Sequence, residues 1–242
     1  MTETPDVTLD DLAPREDMVQ EDAVRGSPQT GYRFSRRVVV LSEPDSAAAT
    51  GIRSLQTHLM AGHLRDGRRG MAICSPDRHA GCTTVAVNLA VACAQAGIKT
   101  LLIDANLYHP GVAQFIRPPA PTGGLCQMLT SDLDVPADEI HRQVLPNLSL
   151  LYAGSGVTGF LDLIATRDFK RLFDDCMRDY EFTIVDTPSG ASTTDTRRVA
   201  LAMRYALLIG RRDQTLMSAM KKLIEELSTD RVRFVGTFMT DI

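Results

Sequence analysis

The chain has no tryptophan, and only 5% of its 242 residues are aromatic, so its core must be built mainly from aliphatic side chains. Its five cysteines include no CxxC pair and no zinc-site spacing, which indicates a reduced, intracellular protein. The formal net charge is −4, so the chain has no excess of basic residues of the kind that marks nucleic-acid-binding domains. We therefore expect no nucleic-acid partner.

The sequence also lacks a segment typical of a membrane anchor. Its first residues are acidic, which argues against a signal peptide. The apolar stretch 81–97 carries Asn88 and Gln95, so we expect a buried helix there and not a membrane span. We therefore expect no direct membrane insertion, and any membrane association would have to occur through a partner.

The beginning of the chain has a different composition from the rest. Residues 1–22 contain eight acidic residues and a single basic one, Arg15, with few large apolar side chains. Such a segment buries too little apolar surface to offset the entropy lost on ordering. The sequence predicts a flexible acidic leader over residues 1–36, either an interaction arm or a solvated extension, followed by one domain over 37–242.

Short apolar runs alternate with helical patterns through most of the domain. A β-type run at 38–41 and a helical pattern at 46–64 precede this alternation. The predicted strands are then 71–74, 99–103, 148–152, 182–185, 205–209 and 234–238, and the predicted helices are 83–95, 123–130, 159–178, 193–203 and 213–228. Continuous apolar strands between helices predict a doubly wound, mostly parallel α/β sheet with both faces covered. Ligands of such sheets bind at the carboxyl ends of the strands.

Residues 71–84 combine a strand, a turn-rich loop and a helix start, in the order found in a phosphate-binding loop. In such loops the backbone N–H groups and the helix N-terminus face an anion. A catalytic version would read Gly-Lys-Ser/Thr at the helix start, whereas this chain reads Gly81-Cys82-Thr83. The sequence therefore predicts the frame of a phosphate loop without its lysine.

Two aspartates directly follow apolar strands, Asp104 after 99–103 and Asp186 after 182–185. In this topology both strand ends neighbour the phosphate loop. Carboxylate and hydroxyl oxygens are the hard ligands that Mg²⁺ prefers. Thr83, Asp104 and Asp186 are therefore the candidate magnesium ligands.

The sequence resembles the cytoplasmic bacterial tyrosine kinases (BY-kinases) of capsule and exopolysaccharide synthesis, a branch of the MinD/ParA-like P-loop NTPases. Six stretches match in order and spacing, namely 52–55 (IRSL), 85–90 (VAVNLA), 97–105 (GIKTLLIDA), 123–125 (GGL), 180–188 (YEFTIVDTP) and 194–195 (TD). The resemblance implies a P-loop NTPase fold with ATP or ADP and Mg²⁺ as cofactors. It also implies a cytoplasmic protein, peripheral to the inner membrane, that docks on a membrane-anchored polysaccharide co-polymerase (a chain-length regulator) and forms homo-oligomers.

The chain departs from the family pattern in both nucleotide-site motifs that precede Asp186. In the Walker A loop, His79 replaces a glycine and Cys82 replaces the lysine. In the second motif, Walker A′, Asp104 is kept as the candidate catalytic residue, but Asn106 and Tyr108 replace an aspartate and an arginine. The Walker B aspartate, Asp186, is intact.

Two further departures concern regions outside the nucleotide site. The helix that the family uses for oligomerisation keeps Arg53, while Thr50 and Gln56 replace its glutamate and second arginine. The five tyrosines are scattered along the chain, whereas the family carries a tyrosine cluster after the last strand.

The missing lysine should weaken both binding and catalysis. Its charge-assisted hydrogen bonds are worth about 1.5–3 kcal/mol each. A loss of ~4 kcal/mol of transition-state stabilisation slows phosphoryl transfer roughly a thousandfold. The backbone of the loop and the helix dipole remain, so we expect weak nucleotide binding. The candidate nucleotide-binding residues are Arg78, His79, Ala80, Gly81, Cys82, Thr83 and Thr84.

Several alternatives exist for individual loop residues. Arg78 is either a substitute cation for the lysine or a solvated loop arginine. At a helix N-terminus Cys82 should have a lowered thiol pKa, which allows a redox switch, although a small residue filling the lysine site is the preferred interpretation. His79 should be strained, because the loop needs positive φ there. A zinc site from His79, Cys82 and His109 is disfavoured, since these residues lie on two loops.

The leading hypothesis is a catalytically degenerate BY-kinase-like protein of exopolysaccharide assembly that acts by docking. The first alternative is an active ATP-dependent tyrosine autokinase or ATPase with a non-standard P-loop, using Arg78 or a partner's residue. The second alternative is a MinD/ParA-like positioning ATPase. It is less favoured because no amphipathic membrane-targeting helix follows the final predicted strand.

Overall fold

The computed structural model describes residues 23–25, for the backbone alone, and residues 31–130, 138–155, 163–190 and 194–241. The strands of these residues are β1 (Ala23–Arg25), β2 (Arg33–Ser35), β3 (Gly70–Cys74), β4 (Thr100–Asp104), β5 (Ile116–Arg117), β6 (His141–Leu145), β7 (Leu148–Leu151), β8 (Phe182–Asp186), β9 (Tyr205–Arg211) and β10 (Arg233–Thr240). The helices are α1 (Val39–Ser42), α2 (Ala47–Leu59), α3 (Cys82–Gln95), α4 (Val112–Phe115), α5 (Leu125–Thr130), α6 (Arg167–Asp179), α7 (Thr194–Met203) and α8 (Met217–Thr229), and a π-helical turn, Met60–Leu64, extends α2.

Seven of the strands form the central sheet, in the order β10-β9-β3-β8-β4-β7-β6. All neighbouring pairs are parallel except β6 and β7, which are antiparallel. One hydrophobic cluster packs α2 and α3 on one face, and a second packs α6, α7 and α8 on the other. The predicted doubly wound, mostly parallel α/β fold is therefore confirmed.

All six strands predicted from the apolar runs are present, with ends that differ by two residues or fewer. The sequence did not predict β6, because this strand consists mostly of polar, exposed residues, as is typical of an edge strand. It also did not reveal the small antiparallel sheet β1-β2-β5, whose strands have only two or three residues.

The β-type run predicted at 38–41 is wrong, because most of it lies in the short helix α1. Val38, directly before this helix, and Val40, within it, are both buried in the core. The side chain of Asn88, on α3, accepts the N–H of Val40 at 3.2 Å and donates to the carbonyl of Arg37 at 3.0 Å. This tertiary clamp overrides the local β preference of three consecutive valines.

Two helices differ from their predicted patterns in the first residues that the structure describes. For the helix predicted at 159–178, α6 starts only after Thr166, whose hydroxyl accepts the backbone N–H three residues on as an N-cap. Residues 156–162 lie outside the described residues. The helix predicted at 213–228 likewise starts at Met217. The other predicted helices correspond to α2 with its π turn, α3, α5 and α7.

Part of the predicted leader packs on the domain. Phe34, in β2, is buried in the core, and β2 pairs with both β1 and β5. The predicted boundary at residue 36 therefore falls within packed structure. Residues 1–22 and 26–30 lie outside the described residues, so the flexibility of the leader stays a prediction.

Candidate functional site

The phosphate loop leaves the carboxyl end of β3, an inner strand of the sheet next to the central strand β8, and leads into α3, which begins at Cys82. Gly81 is the residue before the helix and has φ of 90°. His79 has φ of 61°, in the left-handed region that costs a residue with a Cβ about 1 kcal/mol or more. The expectation that His79 occupies a position suited to glycine is therefore consistent with its backbone.

Contacts from distant parts of the chain hold this loop. The hydroxyl of Thr240, at the end of β10, donates to the carbonyl of Ala80 at 2.8 Å. The N–H of Gly190, beyond β8, donates to the carbonyl of Ser75 at 3.3 Å. The loop shape is thus supported from two neighbouring strand ends, although its lysine is absent.

Asp186 lies next to the loop at the end of β8 and is fully buried. Its Oδ2 accepts a 2.6 Å hydrogen bond from the hydroxyl of Thr83, and its Oδ1 has no hydrogen-bond partner among the described residues. Burial, and then the nearby charge of Asp104, raise the pKa of Asp186 well above its usual range, against the hydrogen bond from Thr83.

Asp104, at the end of β4, pairs in register with Asp186 on the adjacent strand. Its carboxylate accepts the N–H groups of Asn106 at 3.1 Å, Gly111 at 2.9 Å and Val112 at 3.0 Å. Burial raises the pKa of Asp104 to about 6 even though these three hydrogen bonds favour the charged form. The carboxylate therefore holds the loop after β4 in place.

The loop after β4 packs closely against α3. A Cβ at Gly111 would lie 2.9 Å from Cγ2 of Thr83, so only glycine lets the loop after β4 approach α3 this closely. The fold thus brings together Thr83, Asp104 and Asp186, the three predicted magnesium ligands.

This oxygen set fits Mg²⁺, since the buried Oδ1 of Asp186, which has no hydrogen-bond partner among the described residues, and the nearby hydroxyl of Thr83 are hard oxygen donors. When bound with nucleotide, the ion would supply positive charge to phosphate oxygens. Thr83 and Asp186 would hold it, with Asp104 close by.

Cys82 is buried, with 5% of its surface exposed. Burial, and then the charges of Asp186 and Cys74, raise the pKa of its thiol well above the usual range, and a hydrogen bond with Ser75 opposes them. The expected lowering of this pKa is therefore wrong, because desolvation outweighs the helix N-terminus. The redox interpretation loses its basis, and Cys82 is a small, neutral, buried residue at the lysine position.

A cavity of about 960 Å³ opens above the loop. Arg78 lines it as an exposed side chain whose stem packs against Gly190. Arg37 lines it from the segment before α1, with its guanidinium 4.1 Å from the ring centroid of Phe115. Arg211 lines it from the end of β9. Of the predicted nucleotide-binding residues, Arg78, His79, Gly81, Cys82, Thr83 and Thr84 line the cavity, while Ala80 is buried beneath it.

The sequence missed Arg37 and Arg211 as cavity residues. The position of Arg211 directly after an apolar strand was an available signal, since strand ends form the ligand-binding edge. Tyr108, at the position of the family's arginine, is exposed and interacts with Asp195. Among the described residues, His79, Cys82 and His109 do not form a cluster able to hold a metal ion.

A loop from an inner parallel strand into a helix, with a buried aspartate ending the adjacent strand, is the arrangement found in P-loop NTPases. The chain is 26% identical over 183 residues to the putative tyrosine-protein kinase CapB of Staphylococcus aureus, covering 76% of this chain and 79% of CapB. It is 26% identical over 211 residues to the tyrosine-protein kinase YwqD of Bacillus subtilis, covering 86% and 87%. It is also 26% identical over 208 residues to the putative tyrosine-protein kinase EpsB of Ralstonia nicotianae, but covers only 26% of that longer protein. No protein-family profile matches.

Solved structures agree with these sequence relatives. The chimerical protein CapA2B2 superposes with a TM-score of 0.76 and 25% identity over 86% of this chain and 90% of that one. The kinase domain of the Escherichia coli tyrosine kinase ETK has a TM-score of 0.75 and 20% identity, covering 91% and 82%. The septum-site protein MinD of Pyrococcus horikoshii, solved with Mg-ADP, has a TM-score of 0.53 and 20% identity, covering 71% and 69%. The sequence relatives of this chain are thus bacterial tyrosine-protein kinases, its structural neighbours include tyrosine kinase domains and MinD, and the resemblance seen in its motifs is confirmed.

No helix in the described part of the chain has the length and apolar character needed to cross a bilayer.

Proposed function

We propose that this chain is a catalytically degenerate BY-kinase-like component of exopolysaccharide or capsule synthesis. It binds ATP or ADP with Mg²⁺ weakly and acts mainly by docking on a membrane-anchored polysaccharide co-polymerase. The observation that carries the proposal is Cys82, which is a buried neutral thiol at the position where the family carries its phosphate-binding lysine.

The charges around the site support the degeneracy. Cys82 brings no cation to the β- and γ-phosphates, since it is a buried neutral thiol. Tyr108 supplies no charge where the family has an arginine.

The loop backbone, the N-terminus of α3 and the arginines at the cavity support residual nucleotide binding. The loop keeps its backbone shape, with Gly81 before α3 and the helix N-terminus directed at the cavity. Arg37, Arg78 and Arg211 line the same cavity and give it a positive rim. A rim of exposed cations binds phosphate less tightly than a lysine buried in the loop, because solvent screens it.

The docking partner and the location follow from the resemblance. The relatives CapB and EpsB are putative tyrosine-protein kinases, and one similar structure is of a chimerical protein, CapA2B2. We propose a cytoplasmic location, peripheral to the inner membrane through the co-polymerase. Homo-oligomer formation through α2 is part of this proposal, although in this structure the Arg53 guanidinium donates to the carbonyl of Pro44 in its own chain.

ATP titration by calorimetry, with and without Mg²⁺, together with phosphotyrosine detection on the purified chain, tests the proposal. We expect weak, Mg²⁺-dependent binding and no autophosphorylation. Cys82→Lys should tighten ATP binding about tenfold or more, because it restores one charge-assisted contact, whereas the matched control Cys82→Ser should not.

Robust autophosphorylation of the unmodified chain would exclude the degenerate kinase and favour the active autokinase. In that case Arg78→Gln, compared with Arg36→Gln outside the cavity, would show whether Arg78 replaces the lysine. Co-purification of the chain with a co-polymerase from membranes tests the docking function separately from nucleotide binding.

A further inference from the structure

A second cavity, of about 790 Å³, lies between α6 and α7 and extends to the start of β10. Among the residues that the structure describes, five cationic residues and no carboxylate line it. The cations are Lys170, Arg198, Arg204, Arg231 and Arg233. We call this surface the basic groove.

The cations of the basic groove are largely unpaired. Arg204 lies 3.7 Å from Asp174, with both side chains exposed, and such a pair contributes little. The other four cations have no carboxylate within 4 Å among the residues that the structure describes. Arg197, the neighbour of Arg198, shows the contrast, since it makes two hydrogen bonds of 2.7 and 2.9 Å to Asp230. The groove is therefore suited to an anionic occupant.

The groove also has an apolar floor. Phe169 and Ile164 are buried at its base, and Leu201 is 50% exposed at its side. An occupant that combines several carboxylates with occasional aliphatic side chains would match both properties.

Residues 1–22, which we call the acidic segment, have this composition. They hold eight of the 30 acidic residues and one of the 26 basic residues of the chain. The rest of the chain therefore carries 22 acidic and 25 basic residues and is net positive by three charges. Leu9, Leu12 and Val19 supply aliphatic side chains between the carboxylates.

We propose that the acidic segment binds in the basic groove of its own chain. Reach does not limit this contact, because 22 residues can extend about 70 Å, while a domain of about 200 residues has a radius of gyration of about 17 Å. Attachment to the domain gives the segment an effective concentration on the order of millimolar, so even low intrinsic affinity populates the bound state. The contact does not depend on the function of the nucleotide site.

Carbodiimide cross-linking of the full chain followed by peptide mass spectrometry tests the contact. The reagent activates a carboxylate, the Nζ of Lys170 forms an amide with it, and the reagent leaves as its urea. At low salt we expect cross-links from the acidic segment to Lys170, and few to Lys221 or Lys222, which lie on α8 outside the groove. Arg231→Glu with Arg233→Glu, or 0.5 M salt, should abolish them.

Equal cross-linking of all three lysines would overturn the proposal. A mixture of ¹⁵N-labelled and unlabelled protein identifies the chain that supplies the segment. Cross-linked peptides of mixed label would show that a second copy fills the groove, and the same-chain contact would then be wrong.

A binding competition provides a second test that needs no cross-link. The probe is tripolyphosphate, and binding in the groove is the part that Arg231→Glu with Arg233→Glu removes. Neutralising Glu16→Gln and Asp17→Asn should tighten this part about fivefold at low salt, because the competing segment is weakened. The control, Glu43→Gln with Asp45→Asn, changes the net charge equally at exposed positions outside the acidic segment. Equal affinities for the two variants would show that an external anion, and not the acidic segment, is the occupant.

Discussion

The hydroxyl of Thr83 donates a 2.6 Å hydrogen bond to Oδ2 of Asp186, and this contact joins the first turn of α3 to the end of β8. It is the one hydrogen bond that the structure shows for this fully buried carboxyl group among the described residues. The site therefore retains the link between Walker A and Walker B although the lysine beside Thr83 is gone.

Thr83→Val should destabilise the protein by about 1–3 kcal/mol, because the shape is kept while buried Asp186 loses its donor. Urea unfolding at pH 7 measures the change. Thr84→Val is the matched control, since the hydroxyl of Thr84 makes no hydrogen bond to the residues that the structure describes. Equal effects of the two variants would show that the contact contributes nothing to stability.

Thiol reactivity should be low in the native protein. All five cysteines are buried, and burial raises the pKa of Cys82 well above its usual range and that of Cys74 to about 12. Since the thiolate is the nucleophile, alkylation of Cys82 by iodoacetamide at pH 8 should be at least about tenfold slower than in denatured protein. Timed quenching and mass spectrometry give the rate at each site. Fast native labelling at Cys82 would restore the redox interpretation.

Stability should fall on mild acidification because of His63. This side chain is buried against Tyr205 and Phe182, with ring centroids 4.7 and 5.9 Å away. Its Nε2 lies 3.2 Å from the carbonyl of Gly70, and its Nδ1 has no partner among the described residues. Burial is the main cause that lowers its pKa in the folded state.

The unfolded chain therefore takes up the proton first, at about pH 6.5. Stability is then lost as the pH falls from there to the lowered pKa of folded His63, and no further below it. His63→Phe keeps an aromatic ring and should flatten this part of the curve, whereas the exposed His58→Phe should not. Denaturant midpoints between pH 5 and 8 measure the slopes.

Gly124→Ala should destabilise the protein by about 3 kcal/mol, because the new Cβ would lie 2.1 Å from the carbonyl oxygen of Tyr152, which is backbone and cannot move aside cheaply. Gly62→Ala is the control, since a Cβ there meets nothing within 4 Å in a helical turn, and it should stabilise by about 0.5–1 kcal/mol. Thermal unfolding distinguishes the two. A neutral Gly124→Ala would mean that the segment before α5 shifts freely.

The parts of the fold that the sequence predicted well depend on local pattern. Strands β3, β4 and β8 are continuous apolar runs because both of their faces are buried, so their positions were recognisable without knowing their neighbours. The edge strand β6 lacks that signal, since it is covered only in part and carries polar residues. The apolar run at 38–41 wrongly predicted a strand, because the hydrogen bonds that hold α1 come from Asn88, far along the chain.

The features of the candidate site also fall into two groups, those that the sequence predicts and those that depend on the fold. From residue order alone we could predict the position of the phosphate loop, the absence of its lysine at Cys82, and the carboxylates at the ends of β4 and β8, because each depends on one strand and its loop. Only the fold reveals that the pKa values of Asp104, Asp186 and Cys82 are raised and that Arg37 and Arg211 lie at the cavity. Burial and charge at a point in space are set by segments that are distant in the chain, and no local pattern records them.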